Sequence, residues 1–211
     1  MSQPSVESHL FIGPLCRYFA ASAAEAAQRV AAIEVWRDQL TAALGSRAAI
    51  ALDWPEEPSD EPGHVELGPL GLDPLRLLAV YADRTELELP DTTPQPLTLD
   101  DAFARAAAAN FAQSRYGHLL AASIWLPREF DFTFVCPRPD GDDATFGSLQ
   151  ALDDQLGFLN ARTFALSLDD RDGAAPIDRG RFIDDAQTAL RICVHAVRAA
   201  LARGLPLVAI T

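Results

Sequence analysis

Between Ser22 and Gly45 the chain carries both ends of a helix in one stretch, "SAAEAAQRVAAIEVWRDQLTAALG". Ser22 and Glu25 stand three apart as a capping box, and Gly45 supplies the residue that a helix C-terminus favours. Inside those limits Val30, Ile33, Trp36, Leu40 and Leu44 recur at helical spacing and fall on one stripe. Such a stripe is not stable in water by itself and needs an apolar surface to pack on. The rest of the chain has to supply that surface.

Short apolar runs bounded by turn residues fit the need. His9 to Phe19 reads as a strand in which Pro14 marks a bend or an edge. "AAIALDW" reads as a buried strand, and "RLLAVY" with "ELELP" reads as a hairpin about Asp83 and Arg84. A helix opened by Asp73 and Pro74 competes for that segment, 74–90. "LLAASIWLP" and "EFDFTFVC" read as consecutive strands, and "TFALSL" and the terminal "LPLVAIT" as two more.

Three further helices are expected. One is capped by Thr98 with Asp101, carries Leu99, Phe103, Ala107 and Phe111 on one face, runs to about Arg115 and is ended by Gly117. A second starts at the cap Ser148 and buries Leu149, Leu152, Leu156 and Leu159. The third spans about Phe182 to Arg203, with Ile183, Leu190, Val194, Val197 and Leu201 inward and Gly204 as its stop. No unit repeats at a fixed period, which excludes solenoids and propellers. The fold class expected is α+β (mixed α/β): one mixed, largely antiparallel sheet with about four packing helices.

A chain of 211 residues, 49% of them hydrophobic, can bury a substantial core, and residues 1–211 are read as a single globular domain. Two segments interrupt it. "PEEPSDEPG", 55–63, is an acidic, proline-broken loop with the most freedom to move, and 90–97 is a linker containing "DTTPQP".

Charge narrows the partners. The formal charge is −13, so nucleic acid and anionic membrane surfaces are disfavoured and a basic protein is the partner expected. All 17 basic residues are arginine. A lysine Schiff base, a P-loop lysine and a kinase strand lysine are therefore excluded. The alanine and arginine bias suggests a bacterial coding sequence. The scattered cysteines Cys16, Cys136 and Cys193, the lack of a secretory signal and the lack of a membrane-length apolar run point to a cytoplasmic protein.

Motif tests fail one after another. Phe130, Phe132 and Phe134 alternate with polar residues, which places them on one strand face and favours core packing over a ligand groove. "PDGDDA" puts Asp140 and Asp142 at calcium-loop positions 1 and 3, but Ala144 and Thr145 then occupy 5 and 6. A second acidic run aligned on Gly173 starts at Leu168 and puts Arg179 where glutamate is needed. Both read as turns. His64 and Glu66 spell H-x-E without the cysteine partner motif of zinc deaminases. Cys193 and His195, two apart on a helix, face opposite sides. No nucleophile elbow, zinc helix or dinucleotide turn occurs. His9, His64, His118 and His195 are read as ordinary surface or core histidines, and no cofactor, metal or catalytic residue is assigned.

What remains is the acidic loop. Trp54, Glu56, Glu57, Asp60 and Glu61 form the surface best suited to receive arginines or lysines of another protein. Its bland alternative is a solvated loop. The functional expectation is a non-enzymatic acidic binding protein recognising a basic protein, like an immunity protein by analogy of charge alone. The alternative is a small hydrolase or transferase with a dispersed histidine–carboxylate site.

Overall fold

The computed structural model describes residues 8–45, 52–167 and 181–210. Six strands form one sheet in the order β2-β1-β6-β3-β5-β4. They are β1 (Ser8–Ile12), β2 (Gly63–Gly68), β3 (Ile124–Leu126), β4 (Phe134–Pro137), β5 (Asp143–Ser148) and β6 (Leu207–Ile210). β3 and β5 run parallel, and the other four neighbouring pairs are antiparallel. Among the described residues seven α-helices accompany the sheet: α1 (Leu15–Tyr18), α2 (Ala23–Leu44), α3 (Asp73–Ala82), α4 (Asp101–Ala108), α5 (Gly117–Ala121), α6 (Leu149–Thr163) and α7 (Phe182–Arg203). The architecture is α+β with a mixed, largely antiparallel sheet, as the sequence predicts. None of the described helices is long and apolar enough to cross a membrane.

Period-two alternation in the central strands divides the interior into two cores. Leu10 and Ile12 of β1, Leu207 of β6 and Trp125 of β3 join the first core, which α3 to α7 cover. Phe11, Val208, Ile124 and Leu126 join the second, with α1 and α2 against them. The sheet is therefore sandwiched between helical layers. Leu149, Leu152, Leu156 and Leu159 of α6 are all buried, each contributing about 2 kcal/mol.

Local capping sets several helix limits. The Ser22 hydroxyl accepts from the Glu25 amide at 3.2 Å, and Glu25 accepts from the Ala21 amide at 2.9 Å. The Ser148 hydroxyl caps α6 by accepting from the Ala151 amide, and Gly204 ends α7 with a left-handed φ of 61°. Arg76 of α3 donates to the carbonyls of Leu119 and Ala122 at 3.2 and 2.9 Å, so it satisfies acceptors left over at the end of α5.

Several expectations need correction. Of the segment expected as a hairpin at 74–90, the residues up to Ala82 belong to α3, the competing helix, and 83–90 take no strand conformation. Seven of the ten α3 residues are buried, and the unbroken apolar run from Leu77 to Val80 is short enough to read equally as a buried strand. The fourth helix is capped by Asp100, not Thr98, and stops at Ala108. Leu99 precedes it in a 3-10 turn and is 68% exposed, while Gly117 begins α5 instead of ending α4. "LLAASIWLP" divides into α5 and the short β3, and only the end of "EFDFTFVC" is strand. His9 to Phe19 divides at Pro14 into β1 and α1. Residues 52–54 and 164–167 take no strand conformation, Thr163 is the last residue of α6, and 48–51 and 168 lie outside the described residues. β2 and β5 were not expected from the sequence.

Position decides the cost of deletion here. Leu156→Ala should lower unfolding stability by about 3 kcal/mol through lost burial and a residual cavity. Leu99→Ala should change it by less than about 0.5 kcal/mol. Paired urea titrations give both values.

Candidate functional site

The acidic loop begins inside the protein. Trp54 is 3% exposed, and the Arg37 guanidinium lies 5.3 Å above its ring while donating to its carbonyl at 2.7 Å. The indole N–H donates to Glu56 Oε1. Glu56 also accepts from the Leu15 amide at 3.0 Å and the Cys16 amide at 2.8 Å. α1 has no side-chain cap of its own at Pro14, so Glu56, some 40 residues away in sequence, supplies the acceptor and the negative charge its N-terminus favours. The same carboxylate faces the Cys16 thiol. Burial, followed by the hydrogen bond and charge of Glu56, pushes that thiol up to about 12 and keeps it an unreactive thiol.

The loop then turns outward. Glu57 accepts from the Ser59 hydroxyl at 2.8 Å and its amide at 3.2 Å, which hold this exposed carboxyl below its usual range. The Asp60 amide donates to the Glu57 carbonyl at 3.1 Å. At the far end Arg203 donates to the Glu61 carbonyl at 3.0 Å, just before β2 begins at Gly63. Of the five residues singled out from the sequence, Trp54 and Glu56 point inward as anchors. Glu57 and Glu61 are exposed and Asp60 is half-buried. His64 and Glu66 follow on the exposed side of β2, with the His64 ring 5.4 Å from those of His9 and Phe11.

A second polar centre lies under the sheet. His118 is 4% exposed, and its Nδ1 accepts from the Ser148 amide at 2.9 Å. Its carbonyl accepts from the Trp125 indole at 2.8 Å. The Ser148 hydroxyl donates to the Arg128 carbonyl at 2.7 Å while capping α6. Serine and histidine thus meet through the serine amide, and the hydroxyl is aimed elsewhere, which is a structural join and not a nucleophile–base pair. A Cβ on Gly147 would fall 3.0 Å from His118 Nδ1, so glycine is needed for this close approach. Burial lowers the His118 pKa below the ordinary imidazole value, partly opposed by a backbone hydrogen bond and the charge of Asp131.

The remaining candidates do not converge. Cys193 is fully buried and His195 is exposed on α7, as their spacing predicts. Phe130, Phe132 and Phe134 gather with ring centroids 5.4 to 6.0 Å apart, and Phe134 stacks on Phe146 at 5.4 Å. All three belong to the second core, although only Phe134 lies in a strand. Asp140 and Asp142 flank the β4–β5 turn, where each pairs with Arg138 at 3.0 Å. The acidic run Leu168–Arg179 lies outside the described residues. Among the described residues, no group of three or more His, Cys, Asp or Glu side chains is placed to hold a metal ion.

No family model matches the chain, and no curated protein or solved structure matches it either. The inward role of Glu56 carries no local sequence signal. Its partners are two amides across a long sequence separation, and Glu57 beside it is chemically almost identical.

Two measurements separate anchors from surface. Glu56→Ala should lose about 2 kcal/mol in urea unfolding because buried amide and indole donors lose their acceptor. Glu57→Ala should leave the urea midpoint unchanged within error. For His118 the sign is set by its depressed folded-state pKa. The unfolded imidazole takes up a proton near about 6.5 while the folded one resists, so stability falls as pH drops below that value. Unfolding titrations at pH 7 and pH 5 should show a smaller loss for His118→Asn than for the parent chain.

Proposed function

We propose that the chain is a non-enzymatic binding protein whose loop presents Glu57, Asp60 and Glu61 to the cationic side chains of a basic protein partner. The observation that carries this reading is the division of labour in the loop. Trp54 is buried, the half-buried Glu56 is fixed by that indole and by the α1 amides, and the backbone is tied again at Glu61 by Arg203. A tethered loop has little conformational entropy left to lose on binding, so its outward carboxylates are pre-organised.

The net charge of −13 adds a long-range field that speeds encounter with a cationic partner and turns away polyanions. The three free thiols suit a reducing bacterial cytoplasm. In this role the loop supplies orientation and charge, and the partner supplies the groups that become desolvated.

The test uses purified basic proteins on a biosensor, with the parent chain and the triple variant E57Q/D60N/E61Q as analytes. At least one basic protein should bind, more weakly as salt rises, and about tenfold more weakly to the triple variant. Equal binding of the two chains, or binding indifferent to salt, would remove the basis for this reading.

A further inference from the structure

A cavity of about 380 Å³ lies between the end of α3 and the segment after α4. That volume is in the range of small-molecule sites. Two helix ends form its apolar part, with Val80 from α3 and Ala106 and Ala109 from α4 and its C-cap. Phe111 closes one side, and its ring packs edge-on against Phe103 at 5.6 Å. Asn110 and Phe111 have φ of 50° and 53°, two consecutive non-glycine residues in the left-handed region. Side chains rarely adopt that conformation, and such strain concentrates at functional positions.

The polar part is built from opposite charges. Asp83 accepts from the Ser114 hydroxyl at 2.5 Å through Oδ2, and its Oδ1 lies 3.7 Å from Arg115 Nε. Its side chain is only 19% exposed and keeps acceptor capacity beyond these contacts. Arg84 is half-buried on the same wall, and no described residue makes an ion pair or hydrogen bond with its guanidinium. Gln113 adds a primary amide. Behind this wall the Tyr116 hydroxyl is buried with no hydrogen-bond partner among the described residues, close enough to Asp83 to feel its charge. A partly engaged carboxylate, an uncompensated guanidinium, an amide and an apolar wall converge on one space.

We propose that this cavity binds a free amino acid with an apolar side chain. Its carboxylate pairs with Arg84, its ammonium approaches Asp83, and its side chain packs on Phe111 and Val80. A single anion would meet Arg84 but also the Asp83 charge, and a single cation would leave Arg84 unanswered. A zwitterion satisfies both. The site is separate from the acidic loop, so either assignment can fail without the other.

Isothermal titration of the parent chain with L-phenylalanine and L-leucine tests it, beside 3-phenylpropanoate and 2-phenylethylamine. Saturable binding of an amino acid is expected, and each analogue lacking one charge should bind about tenfold more weakly or not at all. Arg84→Gln should weaken L-phenylalanine about tenfold and leave 2-phenylethylamine unaffected. The variant E57Q/D60N/E61Q should bind L-phenylalanine like the parent. No saturable binding up to about 10 mM would overturn the proposal, as would equal binding of either analogue or indifference to Arg84→Gln.

Discussion

Everything in this fold depends on three central strands that must be covered on both faces. β1, β6 and β3 send alternate large side chains to opposite sides, so neither helical layer can be dispensed with. Trp125 shows the constraint most clearly. It is fully buried in the first core, while its neighbours Ile124 and Leu126 are fully or almost fully buried in the second. The buried indole then needs an acceptor, which the His118 carbonyl provides, and the same histidine holds the start of α6 through the Ser148 amide. Packing on two faces thus creates the polar join between α5, β5 and α6.

An all-arginine complement matters to this arrangement. Arg37, Arg76, Arg128 and Arg203 all donate to backbone carbonyls, tying distant segments together. A planar guanidinium can hold such a carbonyl and still contact a ring or a carboxylate, as Arg37 does with Trp54 and Asp53. The 30 acidic residues outnumber the 17 arginines, and Glu57 and Glu61 are among the exposed carboxylates.

What the sequence disclosed follows the range of the forces involved. The caps at Ser22 and Ser148 and the stop at Gly204 depend on neighbours within a few residues, and they were legible. α6 and α7 were legible too, because each has a clear buried stripe. α3 was missed because its apolar run from Leu77 to Val80 reads equally as a buried strand, and the start of α5 because Gly117 resembles a stop signal. The acidic loop was legible as polar and charged. Its division into inward Glu56 and outward Glu57 was not, since the deciding amides at Leu15 and Cys16 are about 40 residues away. The cavity beside Asp83 and Arg84 was likewise hidden, for its strained wall was expected to be regular helix.

The place of β6 has a consequence for folding. This strand, Leu207–Ile210, is last in sequence order yet sits in the interior of the sheet between β1 and β3. The β2-β1 pair and the β3-β5-β4 group are each contiguous without β6, but they have no direct edge in common. They become one sheet only when β6 slots between them. A chain in which β6 has not yet docked therefore carries two open, hydrogen-bond-hungry edges, on β1 and β3, and a chaperone would have something definite to shield.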